Sequence, residues 1–175
     1  MVSGPPGSGK TTLAHALANA VGCPAICRDE IKEGMVHTVP DFTPGRDDEL
    51  SRRTNPVFFS VLETLLRAGV TTVAEAAFQD RLWRPGLEPL QNLARIRVVH
   101  CIVDPAVAFQ RSLRRSAHNQ HRRAHPDPGL SDADEYLDRL RAFDPVALDA
   151  PSANVDTTDG YRPALSDIVA FINRA

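Results

Sequence analysis

Short apolar runs and helical stripes take turns along the chain. Leu13, Leu17, Ala20 and Val21 recur at helical spacing and predict a helix over that stretch. Pro24 to Cys27 is a brief apolar run, read as a strand, and a short helix follows from Glu30 to about Met35. Residues 37–46 hold Pro40, Pro44 and Gly45 and read as a loop. Asp47 to Thr54 is polar and helical, and Asn55-Pro56 predicts a break, with Pro56 in the first turn of a new helix. That helix carries the stripe Phe58, Val61, Leu62, Leu65 and Leu66 and ends at Gly69. Val70 to Ala74 reads as a strand that delivers Glu75, and Ala76 to Arg81 as a loop; Leu87, Leu90 and Leu93 predict a helix behind Pro85. Ile96 to Val103 is the best-defined strand, mostly β-branched and apolar, and it runs into Asp104-Pro105, a helix N-cap followed by a proline. Tyr136, Leu137, Leu140 and Phe143 mark a helix capped by Ser131 with Asp134. Asn154 to Asp156 is a last strand, and Leu165, Ile168, Val169 and Ile172 a last helix. Strands alternating with helices imply an α/β fold, a parallel sheet covered on both faces. No repeat or linker divides the chain, so residues 1–175 are expected to form one domain.

Two stretches stand outside this rhythm. The first is Ser3-Gly4-Pro5-Pro6-Gly7-Ser8-Gly9-Lys10-Thr11-Thr12, in which Gly4 to Thr11 spells G-x-x-x-x-G-K-T. This is the spacing of a loop that wraps its backbone N–H groups around phosphates and opens onto a helix N-terminus. Lys10 reaches the β- and γ-phosphates there, and the Thr11 hydroxyl joins a Mg²⁺ shell. Only Met1 and Val2 precede Ser3, so the strand that should carry the loop is expected to be stunted or to lack its first residues. The second stretch is 111–125, with Arg111, Arg114, Arg115, Arg122 and Arg123 beside His118, His121 and His125 and almost nothing apolar. It is either a solvated loop or an Arg-rich lid, over about 111–129, that closes on a triphosphate.

Composition narrows the classes without choosing one. Apolar content of 42%, charged content of 24% and a net charge of −2 suit a soluble globular domain and supply no global field for nucleic acid or an anionic membrane. No apolar run reaches membrane-spanning length, and a cytoplasmic protein is expected. Cys23, Cys27 and Cys101 fall at no metal-binding spacing and are expected as reduced thiols, Cys101 in the core. The histidines at 118, 121 and 125 lack an acid or cysteine at ligand spacing, so no metal site is expected among them.

In parallel α/β folds a ligand sits beyond the carboxyl ends of the strands. Lys10 and Thr11, Asp29, Glu75 and the Asp104 region fall at such ends. Asp29 has two readings, a helix N-cap or a base that takes the proton of an attacking hydroxyl. Glu75 is either a turn glutamate or an acid that supports Mg²⁺, and Asp104 is a plain cap.

Gly4–Thr12, Arg28-Asp29-Glu30-Ile31-Lys32, Val73-Ala74-Glu75-Ala76-Ala77-Phe78, Arg111-Ser112-Leu113-Arg114-Arg115 and Val155-Asp156-Thr157 together resemble the small P-loop kinases. That group includes polynucleotide 5′-hydroxyl kinases, chloramphenicol phosphotransferase, zeta toxins and AAA-domain predicted kinases. The resemblance covers nearly the whole chain in the group's order. It implies a P-loop NTPase three-layer sandwich with a five-stranded, mainly parallel sheet. It implies that Asp29 is the base, that Arg111, Arg115 and Arg122 are lid arginines, and that Asp156 and Thr157 lie near the nucleobase. Glu75 stands where many relatives carry Asp, and the first strand is shorter than theirs.

The expected activity is an ATP-dependent phosphotransfer to a hydroxyl acceptor, with ATP and Mg²⁺ on Gly4, Pro5, Pro6, Gly7, Ser8, Gly9, Lys10, Thr11 and Thr12. The alternative is an ATP-binding regulator or ATPase that transfers nothing. A guanine signature Asn-Lys-x-Asp and an Asp-x-x-Gly switch are both absent from the sequence, against a GTPase. The acidic cluster at 47–49 disfavours a nucleic-acid acceptor by repulsion, and Phe42, Asp47, Asp48, Glu49, Arg52 and Arg53 select no acceptor class.

Overall fold

The computed structural model describes residues 1–45, 48–118, 124–125 and 133–174. Five strands form one parallel sheet: β1 (Val2–Ser3), β2 (Ala25–Cys27), β3 (Val73–Glu75), β4 (Val98–Ile102) and β5 (Ser152–Asp156), in the order β2-β3-β1-β4-β5. Seven α-helices are described: α1 (Lys10–Val21), α2 (Arg28–Val36), α3 (Glu49–Arg67), α4 (Asp80–Leu87), α5 (Pro105–His118), α6 (Ala133–Arg141) and α7 (Leu165–Ile172). A 3₁₀ turn, Glu88–Asn92, continues α4.

β1 holds the central place in the sheet with two residues. Val2 pairs with Glu75 on one side and Val99 on the other, and Ser3 pairs with His100. The Met1 ammonium donates to the Arg97 carbonyl at 2.6 Å, and the Ser3 hydroxyl donates to the Phe78 carbonyl at 3.3 Å. The strand is as short as the sequence implies, and contacts around it carry the pairing.

Alternate strand residues face opposite layers, as the two-residue period requires. Val73, Val99, Cys101 and Val155 pack with Leu13, Leu17 and Ile168 of α1 and α7. Ala74 and Val98 pack on the other face with Phe58, Leu62, Trp83 and Leu87 of α3 and α4. Phe78 and Trp83 meet edge to face there, with ring centroids 5.0 Å apart. The result is the three-layer arrangement that the alternation of strands and helices predicts.

Three local expectations are corrected. Helix α3 runs unbroken from Glu49 to Arg67 with Pro56 inside it. Its buried residues Leu50, Thr54, Phe58 and Leu62 recur every fourth position straight across the proline, so burial holds one helix together although Pro56 offers no N–H to the Arg52 carbonyl. Helix α4 likewise begins at Asp80 and contains Pro85 rather than starting behind it, because Trp83 and Leu87 both seat in the core. Asp29 is not an N-cap: α2 starts at Arg28, directly from β2, with Cys27 at the cap position and no capping side chain. Asp104 does cap its helix, accepting from the Ala106 and Val107 amides at 2.9 and 3.1 Å.

α2 and α3 are joined by a buried ion pair. Lys32 donates to Asp48 Oδ2 at 2.7 Å, and the two side chains are 1% and 8% exposed. Asp48 also caps α3 by accepting from the Ser51 amide at 2.7 Å and receives the Gly45 amide at 3.1 Å. Burial works against the Asp48 carboxylate, but the Lys32 ammonium and the two amides outweigh it and bring its pKa down to about 2. Within the acidic cluster at 47–49, Asp48 is neutralised by Lys32 and Glu49 stands 3.7 Å from Arg53, while Asp47 lies outside the described residues.

Breaking this pair from one side leaves a buried charge, at a cost of about 3–5 kcal/mol. Lys32→Met should lower the unfolding free energy by that order in urea titration at neutral pH. A carboxylate whose pKa falls on folding stabilises above its unfolded value of about 3.9 and loses that contribution as pH drops through the folded value. The gap between wild type and Lys32→Met should therefore narrow between about pH 4 and 2.

Candidate active site

The glycine-rich loop turns from β1 into α1. Gly7 and Gly9 take φ of 79° and 74°, in the left-handed region that other residues rarely adopt. At Gly7 the space is closed as well: a Cβ there would sit 2.5 Å from the Ala108 carbonyl oxygen and 2.7 Å from the Tyr136 hydroxyl. Gly9 precedes the first turn of α1, which has no side-chain cap and no acidic residue. Its backbone N–H groups and dipole are thus left to an anion.

Distant residues fasten the loop. The Thr157 hydroxyl donates to the Ser8 carbonyl at 2.6 Å, and the Tyr136 hydroxyl donates to the Pro6 carbonyl at 3.0 Å. Tyr136 is itself bonded to the Ser112 hydroxyl at 2.8 Å. Arg111, on α5, donates through Nη2 to the carbonyls of Thr157 and Thr158 at 2.7 and 3.1 Å. Its Nη1 is buried without a hydrogen-bond partner among the described residues, and a Cβ at Gly9 would lie 3.6 Å from it. A buried guanidinium N–H with spare donor capacity beside a phosphate loop fits an anionic oxygen.

A cavity of about 410 Å³ opens here, lined by Gly7, Gly9, Thr12, Arg111, Arg114, Arg115, Thr157, Gly160 and Tyr161. It gathers the loop, the helix terminus and three arginines, and its volume lies within the range of small-ligand sites. A larger cavity of about 830 Å³ lies over β4 and β5, against Leu137, Leu140 and Phe143. It carries one arginine, Arg141, against three in the smaller cavity, so the smaller cavity is the one that suits phosphate.

On the far side of the loop, Lys10, Thr11, Asp29 and Glu75 converge. The Thr11 hydroxyl donates to Glu75 Oε2 at 3.1 Å, and Lys10 Nζ stands 4.0 Å from Glu75 Oε1. Burial pushes the Glu75 carboxyl above its ordinary pKa, Asp29 adds to that, and Lys10 and the Thr11 hydroxyl pull the other way. A buried carboxylate facing a hydroxyl offers two hard oxygen ligands, which suits Mg²⁺. Burial also works to raise Asp29, but the charges of His125, Lys10 and Arg28 outweigh it and hold its carboxyl below the usual range. Arg28 donates to Asp29 Oδ1 at 3.0 Å, to Asn55 Oδ1 at 3.0 Å and to the Ser51 carbonyl at 3.1 Å. It therefore fixes the start of α2 against α3, and Asn55 supplies a contact that the sequence did not flag.

Arg111 and Arg115 lie on helix α5, ordered by Pro105 and the Asp104 cap, rather than on a loop. Arg122 and most of the segment 119–132 lie outside the described residues. Asp156 Oδ1 accepts from the Thr158 amide at 2.8 Å, which turns the chain after β5 and places Thr157 on the phosphate loop. Tyr136, Ser112, Gly160 and Tyr161 also belong to this region. The sequence showed the first only as a core residue of α6, because what it does is set by where α6 docks.

A family model described as an AAA domain matches residues 1–142, and the chain belongs to that family. No protein among the curated sequences matches it. Among solved structures, it resembles a candidate kinase from Chloroflexus aurantiacus at 27% identity, with a TM-score of 0.84 over 98% of this chain and 94% of that one. Shikimate kinase from Bacteroides thetaiotaomicron is similar at 18% identity and TM-score 0.56, over 98% and 93% of the two chains. The tunicamycin resistance protein of Deinococcus radiodurans is similar at 19% and 0.55, over 99% and 94%. These place the fold in the P-loop kinase group of α/β P-loop NTPases. No described helix is long and apolar enough to cross a membrane.

Thr157→Val keeps the shape of the side chain but strips the Ser8 carbonyl of its hydroxyl donor. Leaving a buried acceptor unpaired costs about 1–3 kcal/mol. Thermal and urea unfolding should register that loss, and full stability would mean that the loop does not depend on this bond.

Proposed function

We propose that the protein is an ATP-dependent phosphotransferase that moves the γ-phosphoryl group to a hydroxyl acceptor. The observation that carries the reading is the convergence of an ionised Asp29 with Lys10 and the Thr11–Glu75 pair at one side of the phosphate loop. In this reading the backbone of Gly4 to Thr12 and the α1 N-terminus bind the phosphates, and Lys10 spans the β- and γ-phosphates. Thr11 and Glu75 would hold Mg²⁺, which supplies positive charge against the phosphate oxygens. Asp29 takes the acceptor's proton as its oxygen forms a bond to the γ-phosphorus. The bond from that phosphorus to the bridging oxygen breaks, and the leaving diphosphate keeps the electron pair. Arg111 and Arg115, with Arg122 from outside the described residues, offset the charge that spreads over the transferring group. Asp156 and Thr157 border the nucleoside end.

The acceptor is a hydroxyl compound bound between α2 and α3, beside Arg28, Ser51 and Asn55. The fold is compatible with the small polyol acid named for the shikimate kinase neighbour. Lys32 neutralises Asp48, one of the three acidic residues at 47–49, so the charge that counts against a nucleic-acid end is reduced only in part.

Lys10→Ala should abolish both nucleotide binding and transfer. Asp29→Asn should bind ATP as wild type but transfer about a hundred- to ten-thousand-fold more slowly. Both are read by a fluorescent ATP analogue and by acceptor-dependent ADP release; an ADP release that no hydroxyl compound accelerates would leave an ATPase or regulatory module instead.

The two carboxyls also separate by pH. Glu75, held high by burial, gains its proton first on acidification, and Asp29, held low by His125, Lys10 and Arg28, gains one later. Raising Mg²⁺ should restore kcat/KM in mild acid, where Glu75 is titrating, but not in stronger acid, where Asp29 is. A single acid limb insensitive to Mg²⁺ would remove Glu75 from the metal shell.

A further inference from the structure

Three side chains of different chemistry meet one helical turn below Thr11. His15 projects from α1, Cys27 ends β2, and Glu30 lies in the first turn of α2. His15 Nε2 is 2.6 Å from Glu30 Oε1 and 3.7 Å from Cys27 Sγ, and the three ligand atoms all lie within 4.8 Å of one another. Cys27 is buried, whereas the His15 and Glu30 side chains are about half exposed. The sequence hides this grouping, because its members are separated by spacings that match no metal motif and come from three elements.

We propose that His15, Cys27 and Glu30 form a binding site for a zinc-class divalent cation, separate from the Mg²⁺ position at Thr11 and Glu75. An imidazole nitrogen, a thiolate sulfur and a carboxylate oxygen are the donor types that zinc takes, and a sulfur donor selects against Mg²⁺. Zinc bonds of about 2.0–2.3 Å in tetrahedral geometry put neighbouring ligand atoms about 3.3–3.7 Å apart. The Cys27–His15 separation already has that value. Glu30 must withdraw from His15 by less than an ångström, and its solvent-facing side chain can turn to do so. The fourth position faces solvent and takes water.

Binding exchanges one set of bonds for another. The hydrogen bond between His15 and Glu30 is broken, the imidazole coordinates through Nε2 with its proton on Nδ1, and the Cys27 thiol gives its proton to solvent as the sulfur–metal bond forms. The ion then ties α1, which carries Lys10 and Thr11, to the strand end that carries Arg28 and Asp29. Cys27 also pairs in register with Glu75 across β2 and β3, and its thiol hydrogen-bonds the Glu75 carboxylate, so the two cation positions adjoin without sharing a ligand. Burial, Glu75 and Glu30 push the thiol up, and the bound cation is what offsets them when the proton leaves.

Cobalt(II) is the probe, because a thiolate ligand gives it a sulfur-to-metal charge-transfer band and tetrahedral geometry gives it visible absorption. The full chain, reduced and in saturating Mg²⁺ with ATP, is titrated with Co²⁺ and then with Zn²⁺. The expected result is a charge-transfer band that saturates at one equivalent, is bleached by Zn²⁺, and is lost in Cys27→Ser. His15→Gln and Glu30→Gln, at half-exposed positions, should fold normally and weaken Co²⁺ binding at least ten-fold. Thr11→Val should leave the band in place. Absence of the band in wild type, its survival in Cys27→Ser, or full affinity in both His15→Gln and Glu30→Gln overturns the proposal. Loss of the band in Thr11→Val does so too, since the cation would then belong to the phosphate site.

Discussion

The Thr157 hydroxyl on the Ser8 carbonyl is the contact on which the rest of the site depends. A phosphate loop must hold several backbone N–H groups in a fixed ring, and its own glycines give it no rigidity. In this molecule the strand beneath it is two residues long. Restraint therefore comes from above and beside the loop: Thr157 after β5 holds Ser8, Tyr136 of α6 holds Pro6, and Arg111 of α5 locks the Thr157 turn. The same closeness explains why Gly7 has no room for a side chain, because the carbonyl of Ala108 and the Tyr136 hydroxyl already occupy that space.

This arrangement couples chemistry to packing. Arg111 has one nitrogen committed to the Thr157 turn and another left over next to Gly9. One residue thereby both builds the rim of the phosphate site and faces into it. On the opposite rim, Arg28 plays a comparable part by pinning the start of α2 to α3 while adding to the effect of His125 and Lys10 in keeping Asp29 ionised. The carboxylate and the phosphate loop are thus positioned by charges that also serve as mortar between helices.

Much of the layout could be read from the sequence, and the failures share a cause. The G-x-x-x-x-G-K-T spacing and the apolar run of β4 are local signals, and both stand where they were expected. Pro56 and Pro85 were read as boundaries from local preference, but buried stripes on α3 and α4 override them. Asp29 looked like a cap because it precedes a helical run; β2 passes straight into α2, and one residue of shift changes its part. Asp48 looked like surface charge until α2 brought Lys32 against it. Thr157 on Ser8, and the meeting of His15, Cys27 and Glu30, depend on contacts between elements, which no spacing encodes.

The pairing of Lys32 with Asp48 has a consequence for handling the protein. The chain has two lysines, Lys10 and Lys32; the first lies buried against Glu75 and the second is 1% exposed. Reagents that seek primary amines meet almost no lysine on the folded surface. Lysine-directed labelling therefore finds almost no target on the folded molecule, and modification mapped to Lys10 or Lys32 becomes a gauge of how far the cleft or the α2–α3 junction has opened.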